Sequence, residues 1–286
     1  MINTTFSNTW SLVLIITLST AGSIVGGYKF RENSQLIMPN EYKVIRKIVN
    51  KLSANNDLGN QPLVFTIVSG SRAYWTAQAM ELIKEDGWTF YRHINPFKTY
   101  KGKSSNEINE AIRQAYLYNG NEAFAFPNGT IGISHSTFRH HQNKDDYLAC
   151  IIGHEISHVI NHDSFNDSLR LGKEAKGFKK KKKKMLRYRI SRETEKSADI
   201  NSAKMILKAG FPRDTCLKAF EFISRIEGDG GETTKDSTHP GYEERRAELV
   251  KFLESYEEDL ITKEKVEKKW KWIYSRKLNT LTFIST

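Results

Sequence analysis

Apolar and polar positions follow two rhythms along this chain, one of helical period and one of period two. In Glu41–Leu52, Val44, Ile45, Ile48, Val49 and Leu52 fall on one face, which predicts an amphipathic helix. Asn55–Gln61 is a turn-rich break, and Pro62–Val68 is a short β-branched apolar run that predicts a strand, closed by Ser69-Gly70-Ser71. Thr76–Lys84 has a helical pattern, Gly87–Lys103 is loop-like with a short strand at Trp88–His93, and Glu107–Tyr118 is a second amphipathic helix ended by Asn119-Gly120. Alternating apolar and small residues flank Pro127-Asn128-Gly129 in Ala123–Ser134, the pattern of a hairpin. Tyr147, Leu148, Ile151, Ile152, Ile156, Val159 and Ile160 then recur at helical spacing on both sides of a polar stripe, so this helix is expected to be buried almost all round. Asp145 and Asp146 precede it, where negative charge suits a helix N-terminus.

Further along, Ser191–Ala209 is a long helical pattern stopped by Gly210 and Pro212, and Thr215–Ile226 and Tyr242–Tyr256 are shorter ones. Glu227–Asp236, which contains Gly-Asp-Gly-Gly, is expected to be a flexible polar loop. Lys263–Arg276 is expected to be a basic, Trp-bearing helix. Residues 1–28 carry no charged side chain, and Trp10–Gly27 is apolar or small-residue throughout. That run is borderline for a bilayer span, which needs about 20 residues, and reads equally as a secretory signal. A buried N-terminal helix is disfavoured by Gly22, Gly26 and Gly27, so export or anchoring in the cell envelope is expected.

At 286 residues with 38% hydrophobic and 27% charged content, the remainder is expected to be a globular body, not a multi-pass membrane protein. The net charge of +11 is partly local, because six of the cations form one run, Lys179–Lys184. Such a block is expected to be disordered and solvated, with contact to an anionic membrane surface as the alternative. Nucleic acid is not expected, since the run lacks interleaved aromatics and no nucleic-acid-binding motif accompanies it. Two cysteines are too few for a disulfide framework or a cysteine metal site, and Cys150 reads as a small buried apolar residue.

The polar stripe of the buried helix carries the chemistry. His154-Glu155-Ile156-Ser157-His158 is H-E-x-x-H, and residues four apart share a helix face, so both imidazoles can aim at one metal ion. Glu155, rotated by about 100°, lies beside the position where water would bind, as a general base requires. The motif alone is only suggestive, and a third ligand would strengthen it. Glu195 and Asp199 share a face of the Ser191–Ala209 helix with the small residues Ser202 and Ala203, which allow another helix to approach closely. Two histidines and Glu195 make three protein ligands with a fourth position left open, the pattern of a catalytic zinc. Asp199 would accept the other ring N–H of a ligand histidine and set its tautomer. Arg192 and Lys196 also permit Glu195 to be an ordinary surface carboxylate.

Taken together, G-H-E-I-S-H-V-I-N-H, S-R-E-T-E-K-S-A-D, Ser237-Thr238-His239-Pro240 and Arg245 resemble the HtpX/CAAX-prenyl-endopeptidase family of gluzincin metallopeptidases over about Tyr118–Leu253. The resemblance implies that His154, His158 and Glu195 bind one zinc ion, Glu155 is the general base, and Asp199 orients a ligand histidine. It further implies that His239 stabilises the oxyanion across the cleft, with Arg245 in support. Two positions depart from the family pattern: Glu122 stands where Asn is usual, and Asn128 where Gly is frequent. The metzincin pattern fails, because it needs glycine at 161 and histidine at 164 where the chain has Asn161 and Ser164.

The expected fold is α+β and mainly helical, a zincin-type metallopeptidase domain with a small sheet or hairpin beside the H-E-x-x-H helix. The expected organisation is 1–28 signal or anchor, 39–118 N-terminal part of the peptidase domain, 119–255 zinc metallopeptidase core and 256–286 basic C-terminal helix. The expected function is zinc-dependent endoproteolysis of misfolded or envelope polypeptides. The rivals are a zinc-containing chaperone-like scaffold with little turnover, and a basic membrane-surface or nucleic-acid-binding module built on Lys179–Lys184.

Overall fold

The computed structural model describes residues 38–68, 70, 75, 76, 78–81, 99, 101–117, 122–227, 231–256 and 270–285. The chain separates into two compact units, Met1–Asn40 and Glu41–Thr286, and of the first only Met38, Pro39 and Asn40 are described. The expectations for residues 1–28 and for a strand at Trp88–His93 lie outside the described residues.

One mixed five-stranded sheet, in the order β2-β3-β1-β5-β4, is formed by β1 (Leu63–Val68), β2 (Ala123–Ala125), β3 (Thr130–Ser134), β4 (Trp270–Ser275) and β5 (Thr280–Ser285). β1 lies parallel to β3, with Val64 opposite Thr130 and Val68 opposite Ser134, and antiparallel to β5. The β2–β3 hairpin has the expected turn. The Gly129 N–H donates to the Phe126 carbonyl at 3.0 Å, and Gly129 has φ +83° with a Cβ position only 2.3 Å from the Pro62 carbonyl. No side chain fits there. At the other edge the structure corrects the sequence reading: Trp270–Ser275, expected to be helical, is a strand. Trp-Lys-Trp-Ile-Tyr-Ser alternates with period two, and Trp270 stacks on Phe283 of the neighbouring strand at 4.0 Å, so cross-strand aromatic packing decides the conformation.

Helix α1 (Asn40–Ser53) buries Tyr42, Ile45, Ile48, Val49 and Leu52, close to the predicted stripe. Tyr42 pins it to the sheet: the hydroxyl donates to the Asn279 carbonyl at 2.5 Å and accepts from the Ile67 N–H at 3.2 Å. The remaining helices are α2 (Ser105–Leu117), α3 (His135–His140), α4 (Asp145–Ile160), α5 (Asp163–Glu174), α6 (Lys180–Lys208), α7 (Thr215–Glu227) and α8 (Tyr242–Ser255). α4 is the buried H-E-x-x-H helix, with eleven of its residues inaccessible from Leu148 to Val159. It meets α6 at very short range, where a Cβ on Gly153 would lie 2.8 Å from Ser202 Oγ. Among the described residues no helix is long and apolar enough to cross a membrane.

Two further expectations are corrected. The lysine run is not disordered: Lys180–Lys184 opens the 29-residue helix α6 and is exposed throughout. Cations in a first turn oppose the helix dipole. Leu186 and Ile190 nevertheless pack with Leu171, Ala175 and Phe178 around the α5–α6 turn, and this tertiary contact holds the helix in place. Cys150 is buried but bonded to Cys216, with a Cα–Cα separation of 5.5 Å, which ties α4 to α7. The cysteines are 66 residues apart in the chain and only the fold brings them together.

Candidate metal centre

α4 delivers His154 and His158 one turn apart, with their Nε2 atoms 3.1 Å from each other. Each Nδ1 is held by a carboxylate: His154 by Asp199 Oδ1 at 2.8 Å, and His158 by Asp163 Oδ2 at 2.7 Å. A carboxylate can only accept, so both Nδ1 atoms carry protons and both Nε2 lone pairs point toward one spot. α6 brings Glu195 to the same spot, with Oε2 3.3 Å from His154 Nε2 and Oε1 3.6 Å from His158 Nε2. One donor atom from each of the three residues lies within 4.8 Å of the others. Two converging lone pairs cannot satisfy each other, whereas a cation satisfies both and the carboxylate neutralises part of its charge. A nitrogen–nitrogen–oxygen donor set of this kind fits zinc.

Without a cation, a second proton on His154 fills the same place beside Glu195, and a bound ion would displace it. Burial by itself would depress His154, but the hydrogen bonds with Asp199 and Glu195 outweigh it and raise its pKa to about 10. Burial would raise Glu195 and Asp199, yet both are held below the usual carboxylate range, Glu195 by His154 and His239 and Asp199 by Arg245 and His154. Glu155 behaves oppositely. It is 6% exposed, and desolvation pushes its pKa up despite the neighbouring histidines, toward the proton affinity that a general base needs near neutral pH.

Behind the three donors lies a layer that the chain pattern revealed only in part. Asp199 was expected to hold a histidine and does so. Arg245, on α8, clasps Asp199 with both Nε, at 2.8 Å, and a terminal nitrogen, at 2.6 Å. Its guanidinium also lies 4.1 Å from the centre of the Phe220 ring. Its clearest contact is thus with the Asp199–His154 arm, and its charge also lowers the proton affinity of His239. Asp163 was missed. It is the first residue of α5, and His162, left-handed at φ 53°, turns the chain so that Asp163 reaches back to His158. The only sequence signal was a carboxylate five residues past the second histidine.

His239 sits on the loop before α8 with Nδ1 3.0 Å from Glu195 Oε2, and this hydrogen bond raises its pKa. Residues 228–230 of the expected flexible loop lie outside the described residues, and the segment from Thr233 to Gly241 is held by hydrogen bonds. Arg192 donates to the Ser237 carbonyl at 2.8 Å, Ser237 Oγ donates to the His239 carbonyl at 2.7 Å, and Thr233 Oγ1 accepts the Gly241 N–H at 2.9 Å. His162, eight residues past His154, is exposed and outside the donor cluster, as a helix-end residue.

A mainly helical body with a small mixed sheet, and an H-E-x-x-H helix facing a glutamate-bearing helix, define a zincin-type metallopeptidase domain. Residues 96–175 match the family model described as Peptidase family M48, which supports the metallopeptidase class; the match takes in His154, Glu155 and His158 and ends before Glu195. No curated protein and no solved structure gives a significant match.

Proposed function

We propose that this chain is a zinc-dependent metalloendopeptidase of the HtpX/CAAX-prenyl-endopeptidase branch, hydrolysing peptide bonds in polypeptides of the cell envelope. The observation that carries the reading is the convergence of His154, His158 and Glu195 beside a buried Glu155. The arrangement of Glu195, Asp199 and Arg245 behind the histidines supports the branch. The apolar run at Trp10–Gly27 and the Cys150–Cys216 disulfide support export, since disulfides persist in oxidising compartments. The exposed lysines of α6 support contact with an anionic membrane surface.

His154, His158 and Glu195 would hold the ion. When bound, zinc supplies Lewis acidity for the scissile carbonyl and for the attacking water. Glu155 takes the proton of that water and passes it to the leaving amine, and its raised proton affinity suits both transfers. His239, exposed and adjacent to Glu195, is placed to donate toward the developing oxyanion, a contribution of about 3 kcal/mol for one such donor. The substrate chain lies along β2, an edge strand among those described. The Glu122 carbonyl and the Phe126 N–H bond inward to β3, so by alternation the N–H and C=O groups of Ala123 and Ala125 face the open edge. An extended peptide can pair with them.

The test is Glu155→Gln. The variant is expected to keep one zinc per chain and to lose cleavage of an unfolded protein substrate; full activity in that variant would refute the mechanism.

A further inference from the structure

Two residues past the end of β2 and one turn beyond His158 lies a recess of about 340 Å³, lined by Pro127, His162, Phe165 and Asn166. Each lining residue belongs to an element that also builds the metal centre or the open edge. Pro127 closes strand β2, His162 follows α4, and Phe165 and Asn166 sit on the first turn of α5, next to Asp163. We propose that this recess is a substrate subsite that takes an apolar side chain on the N-terminal side of the scissile bond. The inference rests on the endopeptidase reading.

The walls are preformed. The Asn166 amide donates to the Asn161 carbonyl at 2.7 Å, and the N–H groups of Phe165 and Asn166 both reach the His162 carbonyl at 3.0 Å. Asp163, bonded to His158, fastens the same elbow to the metal centre. On the opposite side the Phe126–Gly129 turn holds Pro127, with Phe126 N–H bonded to the Thr130 carbonyl at 2.8 Å. Among the described residues the lining holds no carboxylate, ammonium or guanidinium, and its polar side chains are the Asn166 amide, already bonded to the Asn161 carbonyl, and the His162 imidazole, so the recess offers little to an ionic side chain. Phe165 is 66% exposed, and Leu169 one turn later is 48% exposed, so the α5 wall presents apolar surface with nothing over it among the described residues.

Direction follows from topology. Ala123 and Ala125 offer the pairing groups, and Pro127 is the next position of the same alternation, about 7 Å further on. β2 advances toward the recess from Ala123 to Pro127, and α4 does so from His158 to His162, so the recess lies one helical turn past the second histidine of the metal centre. A peptide paired antiparallel to β2 has its N-terminal half at the Pro127 end.

The experiment profiles cleavage of a proteome-derived peptide mixture by the zinc-loaded full-length chain, with Phe165→Asp and the conservative Phe165→Leu beside it. The wild type is expected to enrich large apolar residues at one fixed position N-terminal to the cut. Phe165→Asp should abolish that enrichment and lower kcat/KM on apolar peptides roughly tenfold or more, with zinc content unchanged and Phe165→Leu near wild type. Cleavage by the wild type with an unchanged profile in Phe165→Asp, or enrichment only C-terminal to the cut, would overturn the subsite alone. If the zinc-loaded wild type cuts no peptide, the endopeptidase reading falls, and the subsite with it.

Discussion

The two ligand-bearing helices approach closely at Gly153 against Ser202, and a single methyl group there tests how the metal centre is held. A Cβ on residue 153 would lie 2.8 Å from Ser202 Oγ and 3.6 Å from Ser202 Cα. The second contact is ordinary, so the hydroxyl is the whole obstacle. It donates to the Cys150 carbonyl at 2.6 Å, and rotating it away forfeits a buried hydrogen bond and strands the hydroxyl, a loss of about 1–3 kcal/mol. Alanine returns about 1 kcal/mol of helix propensity over glycine. Gly153→Ala is therefore expected to destabilise the metal-free protein by about 1 kcal/mol, the middle of the first range less the second.

The effect on zinc should be specific as well. His154 follows the altered residue directly, and its partner Asp199 lies three residues before Ser202 on the facing helix. Parting the helices by a few tenths of an ångström lengthens the 2.8 Å His154–Asp199 bond, and affinity should fall about tenfold, the low end for losing a ligand's orienting partner. Urea denaturation of the chelator-treated protein gives the first quantity, and competition with a chromophoric chelator gives the second. Adding Ser202→Ala removes the obstructing oxygen and should recover most of both losses. Wild-type stability and affinity in Gly153→Ala would refute the reasoning, as would a second substitution that deepens the damage.

Glu195→Ala is expected to reduce zinc from one equivalent per chain to a trace by elemental analysis while the fold persists by circular dichroism. Asp199→Asn keeps the shape but removes the negative charge that Arg245 clasps and weakens the hold on His154; zinc affinity should drop about 10- to 100-fold by the same chelator competition. The metal-free protein should show a pH signature. The folded pKa of His154, about 10, lies above its ordinary 6.5, so the stability it contributes is complete below pH 6.5 and is lost as pH rises toward 10. Urea midpoints of the chelated protein should fall across that window, and zinc affinity should rise, because binding displaces the proton. A midpoint that climbs over the same range would contradict the assignment.

Periodicity carried most of the helical framework. The α1 face, the buried α4 and the positions of α7 and α8 all follow from apolar spacing, because a helix that buries one stripe must repeat it every turn. The misreadings came from segments with no decisive stripe. Lys180–Lys184 has no apolar residue, and its helix exists because Leu186 and Ile190 further along are clamped against α5. Trp270–Ser275 offered basic and aromatic residues compatible with either period, and its pairing with β5 selected the strand.

For the metal centre the division follows sequence distance. His154, Glu155 and His158 could be read directly, because helix geometry fixes the relation of residues within one turn of one another whatever surrounds them. Glu195 and Asp199 were legible as a pair on one face, but their meeting with α4 is a tertiary event that requires Gly153 and Ser202 to let the backbones close. Asp163 reaches His158 only through the left-handed turn at His162, Arg245 reaches Asp199 from a helix 46 residues further on, and Cys150 finds Cys216 across 66 residues. Local spacing can specify which side chains share a direction. Which charges and sulfurs end up opposite them is set by how the helices pack, since that depends on every core residue at once.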